Sequence, residues 1–178
     1  MNSLDAQLDS LSKEEREIAV KELRQAFDAR LRPHGFKRDA LTWRLLTPDA
    51  VCLVNIQKSA GGGRVYVNLG ILLRWIEDIQ DPKEYECHLR SRIAGLCPPD
   101  LEPRLDTVSY TDIFSKSERL SLLVDALEQF AIPAMLGMAT REAHHKFLES
   151  YENAPTRASG AWGLAQPAVI QKFRESKS

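Results

Sequence analysis

The sequence predicts an α+β fold, in which helices pack on one face of an antiparallel sheet of about four strands. Two observations favour this class. Residues 51–73 alternate apolar and polar side chains on both sides of the stretch Gly61-Gly62-Gly63, as a β-hairpin does. The regions before and after this hairpin carry apolar residues at helical spacing. The hairpin is therefore the expected centre of the domain, with helices covering its apolar face.

A first helix is predicted to begin at Ser12, after a loose N-terminal segment of residues 1–11. Ser12 precedes Glu15 by three residues, which is the spacing of a capping box. Pro33 and Gly35 end the helix. Its apolar residues recur at helical spacing and form one stripe, which we expect to pack on the sheet: Val20, Leu23, Phe27 and Leu31.

The predicted hairpin has two distinct faces, because successive residues of a strand point to opposite sides. Residues 41–46 are predicted to form a preceding strand with the same alternation. One face of these strands is apolar and carries Cys52, Val54, Ile56, Val65, Val67, Leu69 and Ile71. The opposite face, called the polar face below, carries Arg44, Asn55, Gln57, Tyr66 and Asn68.

Asparagine and glutamine are poor strand formers, so their position in the middle of the hairpin strands has two explanations. The first is a solvated outer face, which is common in antiparallel sheets. The second is a recognition surface, in which side-chain amides provide paired donors and acceptors. The residues alone leave both interpretations open.

A fourth strand is predicted within residues 85–96, which alternate in the same way. Leu89 and Ile93 are then expected to point to the core, together with Cys87. The other side of this strand carries a row of ionisable side chains, which joins the polar face if the strand joins the sheet: Glu86, His88, Arg90 and Arg92.

This row offers two kinds of chemistry. Glu86 and His88 are candidate catalytic residues, because a histidine near a carboxylate acts as a general base. Arg90 and Arg92 are candidate binding residues that clamp a phosphate or a carboxylate. The remaining candidate binding residues are Arg44, Asn55, Gln57, Tyr66 and Asn68. The alternative is that Glu86 and Arg90 only pair with each other across the strand, since no complete catalytic motif accompanies them.

The C-terminal half is predicted to be helical. Residues 107–114 form a short strand or a turn, and Ser117 caps a helix that Pro133 kinks or ends. This helix carries its apolar residues at helical spacing: Leu120, Leu123, Val124, Leu127 and Ala131. A further amphipathic helix is predicted over residues 140–151.

The predicted domain covers residues 12–151. Residues 152–178, which contain Pro155, Gly160 and Pro167, are predicted to be a flexible tail with one helical turn at 168–173. Trp162 in this tail either covers an edge of the core or contacts a partner.

The spacing of the histidines and cysteines in the sequence does not predict a metal site. His144 and His145 are expected on the exposed side of their helix, where adjacent positions diverge by about 100°. The cysteines have no metal-type spacing, and their odd number argues against a disulfide framework: Cys52, Cys87 and Cys97.

The composition is that of a globular domain, with 178 residues, 43% hydrophobic residues and a formal net charge of −1. This charge gives no general attraction to nucleic acid or to an anionic membrane. The N-terminus lacks the pattern of a signal peptide, and no apolar run approaches the ~20 residues of a membrane span. We expect a cytoplasmic protein without a cofactor, and the oligomeric state stays open.

Four segments in order resemble a bacterial family of domains of unknown function, DUF4304: residues 31–38 (LRPHGFKR), 54–59 (VNIQKS), 65–70 (VYVNLG) and 86–93 (ECHLRSRI). The resemblance covers residues 19–96 and continues loosely through the helix after Ser117. Members typically carry tryptophans in the following loop, and residues 97–106 have none. The resemblance implies no catalytic residues. Some similar small bacterial domains are immunity proteins beside secreted toxins, which is an analogy only.

The sequence therefore favours a non-enzymatic binding domain that uses its polar face, with an immunity-type role as one form. Its expected partner is a protein or a small anionic ligand. The alternative is an enzyme or ligand-binding protein that acts on a phosphorylated or other anionic small molecule through Glu86, His88, Arg90 and Arg92. Convergence of these side chains in a concave pocket would favour the alternative, and an open face would favour a protein partner.

Overall fold

The computed structural model of the chain describes residues 11–59, 63–106, 108–153, 162–164 and 168–176. It confirms the predicted α+β class, because helices cover one face of an antiparallel sheet. The sheet of the described residues has six strands that pair in chain order: β1 (Lys37–Asp39), β2 (Thr42–Leu46), β3 (Ala50–Lys58), β4 (Val65–Leu73), β5 (Leu89–Arg92) and β6 (Gly163–Leu164). The predicted four strands correspond to β2–β5, and β1 and β6 are short additions at the two edges.

One helix precedes the sheet, and the others follow β5 in the chain. The helices of the described residues are α1 (Lys13–Leu31), α2 (Glu102–Leu105), α3 (Tyr110–Phe114), α4 (Glu118–Ala126), α5 (Ile132–Gly137), α6 (Arg141–Asn153) and α7 (Ala168–Glu175). A π-helical turn, Leu127–Ala131, joins α4 to α5. Pro133 has no backbone N–H with which to continue the regular series of helical hydrogen bonds. The π-helical turn lies just before it and lets the helix continue beyond the proline.

Helix α1 begins and ends as predicted. The Ser12 hydroxyl accepts a hydrogen bond from the Glu15 backbone N–H (3.2 Å), and the Glu15 carboxylate accepts one from the Ser12 backbone N–H (2.7 Å). At the other end Gly35 adopts a left-handed φ of 87°, which favours glycine. The Trp43 indole N–H donates to the Asp28 carboxylate (2.8 Å), so α1 is tied to β2.

The main hydrophobic core lies between the helices and the apolar face of the sheet. The alternation in β3 and β4 is confirmed, since Cys52 pairs with Ile71 and Val54 with Leu69. Leu89 and Ile93 also lie in this core, as predicted. The helices contribute the opposing buried side chains, among them Leu23, Phe27, Leu31, Leu123, Leu127, Met135, Leu148 and Phe173.

A second, smaller apolar cluster lies on the opposite side of the sheet, where the sequence predicts only a polar face. It consists of Val51, Leu53, Leu72 and Cys87, with Ile79 packed against it. Residues 74–88, which connect β4 to β5, cross this side of the sheet at the end where β3 begins and cover its apolar side chains. Gly70 permits the close approach, because a Cβ there would lie only 2.6 Å from the Cys87 Sγ.

The prediction of one strand through residues 85–96 is wrong in its first part. Glu84–Glu86 form a 3₁₀ turn, and β5 begins only at Leu89. Cys87 lies in the second cluster and not in the main core. The physical reason is that the apolar side chains of β3 and β4 near Leu72 need cover, and this turn brings Cys87 onto them.

The described parts of residues 152–178 belong to the domain, where a flexible tail was predicted. Trp162 is 6% exposed and lies in the main core. β6 pairs with β5, with Gly163 opposite Arg90. The expected helical turn at 168–173 is part of the longer helix α7.

Two further segments differ from their predicted structure or composition. Ser109 forms an isolated bridge to Arg64 and caps helix α3, so Tyr110–Phe114 are helical where a strand or a turn was expected. The stretch Glu118–Gly137 is long and apolar enough to cross a membrane by length and composition alone, with a mean hydropathy of 1.4. Core helices share this property, and the stretch contributes Leu123, Leu127 and Met135 to the main core.

Candidate functional site

The polar face keeps an open half at the end of the sheet where β3 finishes. Residues that pair directly across antiparallel strands share a face, and Asn55 pairs with Asn68, which pairs with Arg92. In the neighbouring rows Arg44 pairs with Leu53, and Gly70 with Arg90. The structure therefore places all seven predicted binding residues on one face: Arg44, Asn55, Gln57, Tyr66, Asn68, Arg90 and Arg92.

The amide side chains of this face are oriented by hydrogen bonds to their neighbours. The Asn55 Nδ2 donates to the Thr42 hydroxyl (2.9 Å), and the Asn68 Nδ2 donates to the Gln57 Oε1 (2.8 Å). These bonds leave the Asn55 and Asn68 carbonyl oxygens and the Gln57 Nε2 without a hydrogen-bond partner among the described residues. The face therefore presents both donors and acceptors in fixed positions.

Arg90 forms a two-pronged ion pair with a residue that the sequence analysis did not single out. Its Nε and Nη2 donate to the two carboxylate oxygens of Glu84 at 2.6 and 2.9 Å. The expected pairing of Glu86 with Arg90 is wrong. Glu86 instead accepts a hydrogen bond from the Lys83 backbone N–H (2.6 Å) within the 3₁₀ turn. Glu84 had no signal in the sequence, because it precedes the predicted alternating row.

Arg44 and Arg92 are arranged differently from Arg90. Arg44 donates from its Nε and Nη2 to the Pro82 carbonyl oxygen at 3.1 and 3.0 Å, and it forms no ion pair with a described residue. The Arg92 guanidinium stacks over the Tyr66 ring, 4.5 Å from the ring centroid. Its nearest carboxylate is the Asp106 Oδ1, 3.7 Å away, so both guanidinium groups keep donors for a ligand.

Two adjoining concavities lie between the polar face and the turn at residues 82–85. The Arg44 concavity has a volume of about 280 Å³ and is lined by Thr42, Arg44, Asn55, Gln57, Lys83, Glu84 and Tyr85. The Arg92 concavity has a volume of about 240 Å³ and is lined by Gln57, Asn68, Glu84, Arg90, Ser91 and Arg92. Gln57 and Glu84 line both. Of the predicted binding residues, Tyr66 lies outside them and supports Arg92 from below.

His88 does not lie in either concavity. Its side chain is 1% exposed, and its Nδ1 accepts a hydrogen bond from the Leu73 backbone N–H (2.9 Å). The Nε2 lies 3.9 Å from the Glu77 carboxylate. Burial, and to a smaller extent the nearby charges of Lys172 and His144, lower the pKa of His88 to about 4. His88 is therefore a neutral buried residue at pH 7, and the structure does not bring it together with Glu86.

His144 and His145 are packed between helices, so their prediction as exposed residues is wrong. His144 is fully buried, accepts at Nδ1 from the Trp75 indole N–H (3.2 Å) and donates from Nε2 to the Met138 carbonyl oxygen (2.7 Å). Burial lowers the pKa of His144. The His145 ring stacks edge-on between Trp75 and Phe173. The sequence feature that could have indicated the burial of His144 is Leu148, an apolar residue one helical turn later on the same side of the helix. Leu148 is buried in the structure.

Other groups with chemical potential lie apart from the polar face. Burial raises the pKa of the Cys87 thiol to about 12, so it is not a nucleophile at pH 7. No group of at least three His, Cys, Asp or Glu side chains among the described residues is arranged to hold a metal ion. A third concavity, of about 290 Å³, lies between α1 and the end of β3 and is lined by Lys13, Arg16, Glu17, Val20, Lys58, Ser59 and Tyr110.

The fold and the site together define an α+β domain with a basic, amide-rich groove on the outer face of its sheet. The model of the family described as a domain of unknown function (DUF4304) matches residues 27–135, more than half of the chain. The chain belongs to this family. The match starts at Phe27, close to the end of α1, and ends at Met135, within α5. No curated protein and no solved structure matches the chain significantly.

Proposed function

We propose that this protein is a non-enzymatic binding domain that holds a partner protein on its polar face. The observation that carries the proposal is the pair of adjoining concavities, which are lined by arginines and oriented amides. Tyr85 lines the Arg44 concavity, with 60% of its surface exposed. Tyrosine and arginine are the residue types most enriched at the energetic centres of protein interfaces.

The polar walls of the concavities favour a protein partner over a small molecule. Pockets for small ligands typically have volumes of about 300–1,000 Å³ and are mostly apolar. The two concavities have volumes of about 280 and 240 Å³ and polar walls. Concavities of this kind accept individual side chains of a larger partner.

The alternative function, catalysis on an anionic small molecule, has less support. Glu86 is engaged in the 3₁₀ turn, and His88 is buried against Leu73 and Glu77. Neither residue lines the concavity that contains Arg90 and Arg92. An immunity-type role, in which the partner is a toxin, is one form of the proposed function and remains a prediction.

Site-specific photo-crosslinking tests the proposed function. Benzoylphenylalanine in place of Tyr85 probes the Arg44 concavity, and the same residue in place of Leu136 on α5 probes an exposed position on the helical side. In cells of the protein's own source, we expect a discrete protein adduct from position 85 and not from 136. The adduct should disappear when Arg44→Glu and Arg92→Glu are added. Equal adducts from both positions, or none from position 85, would refute the proposal.

A further inference from the structure

We infer that the polar face recognises an extended acidic segment of its partner, with two carboxylates about four residues apart. This inference rests on the proposed function and names the chemistry of the partner. Three features of the groove support it: its charges, the distance between its two basic ends, and the free hydrogen-bonding groups between them.

The groove has an arginine at each end, Arg44 and Arg92, that forms no close hydrogen-bonded ion pair with a described carboxylate. Arg44 lines the Arg44 concavity and forms no ion pair with a described residue. Lys83 lines the same concavity and interacts with Tyr85 and Glu86. The Arg92 side chain is 53% exposed, stacks on Tyr66, and has its nearest described carboxylate, Asp106, 3.7 Å away. Arg90, in contrast, is held by Glu84 at 2.6 and 2.9 Å. One carboxylate in each concavity would complete these contacts, because guanidinium groups bind carboxylates strongly.

The strand register sets the distance between the two basic ends. Arg44 on β2 and Arg92 on β5 are separated by three steps between neighbouring strands. Arg90 lies in the same row of paired residues as Arg44, and Arg92 is offset from this row by two residues in the strand direction. With strand spacings of about 4.8 Å and a rise of about 3.3 Å per residue, the two Cα atoms lie roughly 16 Å apart.

An extended peptide matches this distance with a defined spacing. Its rise of about 3.3 Å per residue places residues i and i+4 about 13 Å apart on the same side, and flexible arginine and glutamate side chains span the rest. Residues i+3 and i+5 point to the opposite side, and residue i+2 lies only about 7 Å away. The spacing of about four residues is therefore the one that reaches both concavities.

The floor and the middle of the groove favour an extended backbone with neutral central residues. Asn55, Gln57 and Asn68 keep free amide groups, which pair with the exposed N–H and C=O groups of an extended peptide. A helix has no such free groups along its middle. Glu84 lines both concavities at their junction, so it disfavours an acidic residue between the two end positions.

NMR titration of the ¹⁵N-labelled full chain with synthetic peptides tests this inference. The probe is a blocked peptide of about nine Ser, Thr and Gly residues with two glutamates at i and i+4. The matched control peptide has the same composition with the glutamates adjacent. We expect the side-chain amide signals of Asn55, Gln57 and Asn68 to shift, and the i, i+4 peptide to bind about threefold to tenfold more tightly.

Two protein variants identify the groups that give this preference. Arg44→Gln or Arg92→Gln should each remove the advantage of the i, i+4 peptide, because each leaves one carboxylate unpaired. Arg30→Gln is the matched control, since Arg30 lies on α1 and pairs with Glu128 at 2.8 Å. We expect this control to leave the peptide preference within about twofold of the unsubstituted protein.

Three results would overturn the inference: equal affinity for the two peptides, no shift of the groove amides at millimolar peptide, or tighter binding of inorganic phosphate than of either peptide. The crosslinking result keeps the two proposals distinguishable. If benzoylphenylalanine at position 85 still gives the adduct that depends on Arg44 and Arg92, the proposed binding function stands. Only the inference that the partner segment is acidic and extended is then refuted.

Discussion

Replacement of Gly70 by alanine tests how residues 74–88 are held on the sheet. A Cβ at position 70 would lie 2.6 Å from the Cys87 Sγ and 2.9 Å from the Cys87 Cβ. The second contact involves an atom that a side-chain rotation cannot move, so the backbone near Cys87 must shift. Overpacking of a buried site costs about 1–3 kcal/mol. We expect Gly70→Ala to lower the free energy of unfolding by about 2 kcal/mol in urea denaturation.

Gly137→Ala is the control for the general effect of replacing a glycine. Nothing lies within 4 Å of a Cβ built at Gly137, so alanine there should be neutral or stabilise by up to about 1 kcal/mol. Cys87→Gly removes both clashing atoms, and in that background Gly70→Ala should cost less than about 0.5 kcal/mol. The reasoning is refuted if Gly70→Ala changes the free energy of unfolding no more than Gly137→Ala does. It is also refuted if Gly70→Ala is equally destabilising in the Cys87→Gly background.

Three further predictions concern other buried or paired groups. The pKa of His88 falls from about 6.5 in the unfolded chain to about 4 in the fold. The contribution of neutral His88 to the free energy of unfolding is therefore complete above about pH 6.5 and decreases as the pH falls. We expect His88 to account for a loss of about 2 kcal/mol in the free energy of unfolding between pH 7 and pH 5 in urea denaturation. The total loss should be smaller by about this amount in His88→Gln, where the lowered pKa of His144 still contributes, and unchanged in the control His34→Gln. Trp162→Ala should destabilise the domain by about 3–5 kcal/mol, since Trp162 is in the main core; a loss below about 1 kcal/mol would mean that this segment is not docked. Glu84→Gln should cost no more than about 1 kcal/mol, because its partner Arg90 is partly solvated, and a thermal-melt difference equivalent to several kcal/mol would contradict this.

The strands of the central meander could be predicted from the sequence because each has one face in a large core. A shift of one residue would turn Val54 or Leu69 out of that core, so their alternation specifies the register strongly. The capping box of Ser12 and Glu15 is equally local and equally readable. Patterns that depend on neighbours within a few residues were therefore sufficient for these elements.

The elements that the sequence did not reveal depend on contacts between distant segments. Cys87 has the alternation of a core residue, but its position is set by the absence of a side chain at Gly70. His144 is polar, and its burial depends on Trp75 and the Met138 carbonyl oxygen. Trp162 follows a stretch that contains Pro155 and Gly160 and has no regular apolar pattern, yet it lies in the main core. Local periodicity carries no information about such partners.

The second apolar cluster explains why the candidate site is a groove and not a flat sheet. Leu53 and Leu72 point away from the main core and require cover, which residues 74–88 provide. The same segment ends in the turn that brings Glu84 and Tyr85 beside the polar face, where they line the Arg44 concavity. The cover and the wall of the groove thus belong to one segment, which the close contact of Cys87 with Gly70 helps to position. We therefore expect Gly70→Ala to weaken peptide binding in the NMR titration although Gly70 lines neither concavity, and unchanged binding would show that cover and wall move independently.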